Sequence, residues 1–406
     1  MLQSHTDFQP LKTCVVGRSY PPEFYSFIEN PRLRSLFEKI AVETEEDFQS
    51  LIKKLEEFNV KVIRPKEIRY VPAQLKKKGL TLPSPYSMVP RDQLAMIGNN
   101  FYEFGYDIVL SRAGLSEHLE TNWTADFYNN IKGERWPEEF TDYDSLSADI
   151  KNELLHNFNF EHKSSIIDII IKKFVEFDCW QPIIDFVKSQ GNTITTSDKL
   201  PLLRKIAPNG IVRLGKDLLI GIDSQYHLMN DLAKLQEDQF KDYRCRFVES
   251  DGHVDGCLGI VKPGLLLTIN DMDDYDYKKN FPGWEIVSMP GQSWQGIDGW
   301  IDLKKKNLGK WWIQGYERDN ELIDFVEDWF SNWMGYVEET VFDVNILSID
   351  EKNVFVTNYN KAAFDAFERH GVTPHIIPWR HRYFWDGGLH CITCDIDRDG
   401  ECLRYL

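Results

Sequence analysis

A chain of 406 residues with 42% hydrophobic and 13% aromatic content can bury a large core, which excludes a disordered or fibrous polymer. Its 64 Asp plus Glu against 47 Lys plus Arg leave a formal charge of -17, which argues against nucleic acid as a partner and suits a cationic small molecule. The opening MLQSHTDFQPLK has no basic stretch leading into an apolar one, and no window reaches the roughly 18 apolar residues of a membrane span. The expectation is a cytoplasmic protein with no membrane partner. Seven scattered cysteines, Cys14, Cys179, Cys245, Cys257, Cys391, Cys394 and Cys402, suit reduced thiols better than a disulfide framework.

Along the chain one pattern recurs: a helix, a strand, a variable loop and a hairpin. The first unit reads as an amphipathic helix around Glu45 to Phe58, the strand VKVIRP and the hairpin LAMIGNNFYEF with its Gly-Asn turn. The second has the helix PIIDFVKSQ from Pro182, the strand NTITT and the hairpin IVRLGKDLLIG, bent at Gly215-Lys216. Next come a helix from Gln225 to Glu237, the strand CRFVES and the hairpin LGIVKPGLLLT. The fourth unit has the short helix DYKKNF, the strand WEIVSM and, after a long insertion, VNILSIDEKNVFV. The fifth has a helix from Lys361 to His370, PHIIP and HCITCDI, with the early strand TCVVGR from Thr13 available to close the ring. Five alternating α/β units closing on themselves predict one domain over 1–406, with insertions at about 108–175 and 292–334. The second insertion carries a predicted helix, DNELIDFVEDWFSNW.

Reactive side chains recur at one place in the unit, the start of each hairpin's first strand. Asp92 precedes LAMIG, His253 and Asp255 precede LGIVKPG, and Cys391 opens the last strand. In a closed fan these starts converge near the axis. A guanidinium is a flat cation with forked N–H donors, so Asp92 and Asp255 would grip it, a Cys391 thiolate would attack its central carbon, and His253 would protonate the departing amine. On a strand, His253 and Asp255 would share a face. Taken singly, each residue has a plainer reading as a turn cap or surface hydrogen bond. Cys391-Ile-Thr-Cys394 also reads as half a zinc site or a redox pair, but no second pair stands at suitable spacing, so no metal is expected.

At these residues the sequence resembles the glycine/inosamine amidinotransferases of the guanidino-group modifying superfamily. The carrying segments are QPLKTCVVGR, MVPRDQLAMIGN, GHVDGCLGIVKPGLLL and, most specific, GGLHCITCDIDRDGECLRYL. The resemblance implies a pentein fold, a five-bladed α/β propeller. It also implies amidino transfer from a guanidino donor such as arginine to an amine through an amidino-cysteine, without a cofactor, in a homodimer. By position Cys391 matches the amidino-accepting cysteine, His253 the catalytic histidine, and Asp92 and Asp255 the guanidinium-binding aspartates.

Three departures stand beside the matches. The family's further aspartate supporting its histidine aligns with Ala207, so either a neighbour such as Asp198 substitutes or activity is weakened. The arginine that grips a substrate carboxylate aligns with Met272. The serine pair assisting it aligns with Glu338 and Glu339, or with Gly335 and Tyr336 in the other register. If the glutamates line the pocket, a donor or acceptor with a cationic tail is expected. The alternatives are a guanidino hydrolase of the same superfamily and a non-catalytic guanidinium-binding descendant.

Overall fold

The computed structural model describes residues 1–67, 86–103, 178–196, 208–222, 234, 236–249, 254–269, 277–289, 316, 319–329, 344–385 and 387–406. The insertion at about 108–175 lies outside the described residues, as do most of that at 292–334 and most of the helix expected from Gln225.

The described residues form five three-stranded sheets. In chain order the elements begin with β1 (Leu11–Val16), α1 (Pro31–Glu57) and β2 (Lys61–Ile63), followed by β3 (Leu94–Ile97), β4 (Asn100–Glu103), α2 (Gln181–Ser189) and β5 (Thr193–Thr196). Then come β6 (Ile211–Leu214), β7 (Asp217–Ile222), β8 (Arg244–Glu249), the one-turn helix α3 (Val254–Cys257), β9 (Leu258–Lys262), β10 (Leu265–Ile269), α4 (Tyr277–Asn280) and β11 (Glu285–Met289). The chain continues through α5 (Asn320–Trp329), β12 (Leu347–Asp350), β13 (Asn353–Val356), α6 (Lys361–Arg369), β14 (Thr373–Ile376), α7 (Arg382–Trp385) and β15 (Thr393–Arg398).

Every sheet follows one plan: an antiparallel pair, then a third strand parallel to the second. Parallel neighbours need a crossover, and helices such as α2 and α6 supply it. A helix and the strand after it therefore belong with the preceding hairpin. This corrects the grouping expected from sequence, which joined them to the hairpin that follows. The remaining sheet obeys the same plan across the two ends of the chain: β15 pairs antiparallel with β1, and β1 pairs parallel with β2 after α1. Asn59, Gly191, Gly283 and Gly371, each two residues before a third strand, take left-handed φ values of 59°, 80°, 82° and 65°. That conformation ends the helix and turns the chain back toward its sheet.

The first strands are the most buried and the third strands the most exposed, as with LAMI in β3 and IVRL in β6 against KVI in β2. Successive first strands are joined by side chains. Arg213 on β6 donates to the Met96 carbonyl on β3 at 2.9 Å, and Ser348 on β12 donates to the Ile260 and Val261 carbonyls on β9 at 3.2 and 3.0 Å. Arg398 on β15 donates to the Ser348 carbonyl at 2.9 Å, Cys394 to the Leu94 carbonyl at 3.3 Å, and α3 packs against β6. A buried ionic cluster links the turn before β3 with β6 and β15. Asp395, with no exposed surface, receives Arg91, Arg213 and Arg398, and Arg213 also holds Asp7.

α1 starts earlier than its sequence periodicity suggested, because Asn30 caps it, accepting from the Arg32 and Leu33 amides, and Pro31 opens the first turn. α5, the helix expected in the second insertion, lies on α1. Leu322 and Val326 are buried there, Phe325 meets Phe37 with ring centres 5.6 Å apart, and Arg32 bridges Asp319 and Glu321. No described helix is long and apolar enough to cross a membrane.

Candidate active site

The starts of all five first strands exchange hydrogen bonds with one another. Cys391, wholly buried, sits in the turn before β15. Its sulfur lies 3.7 Å from Oδ2 of Asp255, which stands in α3 just before β9. Asp255 is also buried, and its Oδ2 lies 2.7 Å from Nδ1 of His390. Asn345, two residues before β12, reaches both: its Nδ2 is 3.0 Å from the Cys391 sulfur and 3.3 Å from the Asp255 carbonyl. Asp92 ends the short turn Pro90–Asp92 before β3, and its Oδ1 accepts from Asn209 Nδ2 at 2.9 Å. Asn209 lies in the matching turn before β6, which packs against both the Asp92 turn and α3. Arg91 ties the Asp92 turn to the Cys391 turn, since its amide donates to the Cys391 carbonyl at 3.3 Å.

The structure thus brings together Asp255 and Cys391, and sets the Asp92 turn against the Cys391 turn, as the sequence suggested. Asp255 is placed by a helical turn rather than by a strand, so the alternation argued for His253 and Asp255 does not apply to it. His253, Ala207, Asp198, Met272, Gly335, Tyr336, Glu338 and Glu339 lie outside the described residues.

Sequence reasoning missed Asn345, Asn209 and the link between His390 and Asp255. Asn345 and Asn209 occupy the same unit position as Asp92, which was the available signal; uncharged, they read as ordinary strand-start polar residues. Close approach of Asn345 requires Gly388, where an added Cβ would stand 2.6 Å from the Asn345 side chain.

Burial, followed by the nearby Arg91 charge, holds His390 below its ordinary value of 6.5, against the opposing pull of Asp255. At neutral pH it is an uncharged imidazole, and to bond the Asp255 carboxylate its proton sits on Nδ1. Cys394, three residues on, is a different thiol: it donates to the Leu94 carbonyl, and burial pushes it up to about 11. It serves the packing between β15 and β3. The site therefore holds one sulfur beside a carboxylate, with groups contributed from the starts of several sheets. That suits a planar cation whose carbon is to be attacked.

Comparison with known proteins gives a consistent set of relatives. No family model matches the chain. Mitochondrial glycine amidinotransferase from Xenopus tropicalis is 27% identical over 157 residues, which cover 38% of this chain and 28% of that protein. L-arginine:L-lysine amidinotransferase from Pseudomonas savastanoi pv. phaseolicola is 24% identical over 200 residues, 48% of this chain and 44% of the relative. The matched stretches thus span less than half of either curated relative. Two solved structures extend the likeness over the whole chain. SxtG, an amidinotransferase from Microseira wollei, superposes with a TM-score of 0.54 at 15% identity, covering 100% of this chain and 99% of that one. Inosamine-phosphate amidinotransferase StrB1 from Streptomyces griseus gives 0.55 at 16% identity over the same shares. These two show a shared α/β fold, and the curated relatives are amidinotransferases, in agreement with the resemblance carried by the sequence motifs.

Proposed function

We propose that this chain, similar to amidinotransferases in its motifs and to two of them in fold, moves an amidino group from a guanidino donor to an amine. The observation that carries the reading is the meeting of the Cys391 sulfur and the Asp255 carboxylate, 3.7 Å apart and both buried, where separate sheets start their first strands. Asp255 and Asp92 would accept the N–H groups of the cation and fix its plane. The Cys391 thiolate then attacks the central carbon: a C–S bond forms and, as the tetrahedral adduct collapses, one C–N bond breaks. The departing amine takes its proton from His253. In the second half an incoming amine, deprotonated by His253, attacks the same carbon; the C–S bond breaks and the thiolate is restored.

We further infer that the five sheets close into a five-bladed propeller within a single domain, a reading supported by the common sheet plan and by the links between successive first strands. For the substrate we keep the sequence-based proposal of a cationic tail, resting on Met272 and on Glu338 and Glu339.

Mass spectrometry tests the reaction. Incubation with arginine or agmatine should leave an amidino adduct on Cys391 that is missing in Cys391→Ala, and an added amine should release it as a new guanidine. A citrulline-like or urea product would instead make the protein a hydrolase, and no adduct with any guanidine would leave a binding protein. A clear preference for arginine over agmatine and for glycine over putrescine or lysine would sink the cationic-tail proposal.

A further inference from the structure

Both ends of the Asn345 side-chain amide are engaged within the site. Its Oδ1 accepts from two backbone amides, His390 at 2.9 Å and Cys391 at 3.1 Å. Its Nδ2 lies 3.0 Å from the Cys391 sulfur and 3.3 Å from the Asp255 carbonyl. A primary amide has two acceptor lone pairs and two N–H donors, so every hydrogen-bonding position on it is used. The orientation is fixed by chemistry, because a backbone N–H can only donate. Turning the amide over would set N–H groups against the His390 and Cys391 amides, and would lose the bond to the Asp255 carbonyl. The Nδ2 hydrogens therefore face the sulfur, which must receive one of them.

We infer that Asn345 is a further catalytic residue, one that holds the Cys391 sulfur as a hydrogen-bond acceptor and so favours its thiolate. The inference takes from the proposed function only that Cys391 attacks as a thiolate. Among the described residues, the charged or titratable groups near this sulfur include Asp255 of α3 at 3.7 Å, His390 in the same turn, and Arg91 and Asp92 in the turn before β3. Asp255 opposes a negative sulfur, since as a carboxylate it would rather accept the S–H. Asn345 supplies a donor on another side, from an uncharged group that no change of pH removes. The same amide anchors the turn that carries the sulfur, so donation and placement come from one side chain.

The test reads the sulfur directly. Thiolate absorbance in the far ultraviolet is followed against pH in the full-length protein, and the Cys391 contribution is taken as the difference from the same protein carrying Cys391→Ala. In Asn345→Leu the Cys391 midpoint should rise by about one to two pH units, the effect of losing one hydrogen bond to a charged acceptor. Asn345→Asp covers the case in which the leucine variant fails to fold. It keeps the acceptor for the two backbone amides, loses the donor and adds a negative charge, so its midpoint should rise at least as far. A folded Asn345→Asp protein, shown by an unchanged melting transition and circular dichroism, that titrates with the parent's midpoint would overturn the inference. The readout needs no substrate: shifted midpoints in a protein that forms no amidino adduct would retain the role of Asn345 and remove the proposed function, and unshifted midpoints with a normal adduct would do the reverse.

Discussion

Asp395 is a single buried carboxylate shared by three buried arginines, and the energetics of that arrangement are asymmetric. The ions together can roughly balance their desolvation, but removing the carboxylate alone leaves guanidinium groups facing one another in the core. The charge of these arginines holds the Asp395 carboxyl well below the usual carboxylate range despite its burial. Asp395→Asn should therefore lower stability by about 3–5 kcal/mol, measured by urea unfolding at neutral pH. A loss under about 1 kcal/mol would mean that water reaches the arginines. Residues of this kind mark the limit of reading a sequence. Asp255 and Cys391 were legible because a charged or nucleophilic residue before a hydrophobic strand is conspicuous, and because the units repeat. Asn345 and Asn209 occupy the same repeat position without a charge, and asparagine before a strand is ordinary turn chemistry. The cluster around Asp395 was not legible at all, since its members come from β15, from β6, from the turn before β3 and from the segment before β1, and only the fold brings them together.

At the scale of elements, the docking of α5 on α1 yields its own test. Leu322 and Val326 are buried against the α1 side of the core, and Phe325 packs on Phe37. Leu322→Ala should then cost about 2–5 kcal/mol in the main unfolding transition. An unaltered melting curve would show that α5 unfolds separately from the rest. The helix was legible from its amphipathic pattern, but its partner was not, because a buried face specifies only that something covers it. α1 was legible in its C-terminal half. Its early start depended on the cap at Asn30 and on a buried stripe through Leu33, Leu36, Phe37 and Ile40, which a shorter window passes over. The hairpins were found correctly because Gly98, Gly215 and Gly264 occupy turn positions with φ of 61°, 65° and 88°. Grouping each helix with the wrong hairpin was a different failure. Local pattern finds the elements, whereas membership of a sheet follows from which strands run parallel.

Over the whole molecule, acid should be the weakness. His5, His375, His381 and His390 are all held below 6.5, in each case chiefly by burial. Between that value and their lower folded values, the unfolded chain binds more protons than the folded one, so stability falls as the pH drops below about 6.5. Asp395 acts in the same direction at more acid pH: its depressed carboxyl adds stability above the usual carboxylate range, and that contribution is lost as pH falls toward its folded value. Urea midpoints measured from pH 7.5 down to 5 should decrease steadily, and a flat profile would show that these imidazoles are hydrated. The number of units was legible because four hairpins repeat one pattern and two further strands stand ready to make a fifth pair. The place of the early strand beside β15 was legible too; what was not is that each helix returns its strand parallel to the preceding hairpin, because pattern along the chain does not say which strands run parallel.

That shared sheet also sets the timing of assembly. β1 is made well before β15, so the edge it offers to β15 stays unsatisfied while the intervening sheets are made. The Cys391 thiol arrives with that strand, two residues before β15 begins. On the proposed assignment, the carboxylates that would grip the cation are therefore made before the thiol that would attack it, and the two meet only once β15 has joined β1.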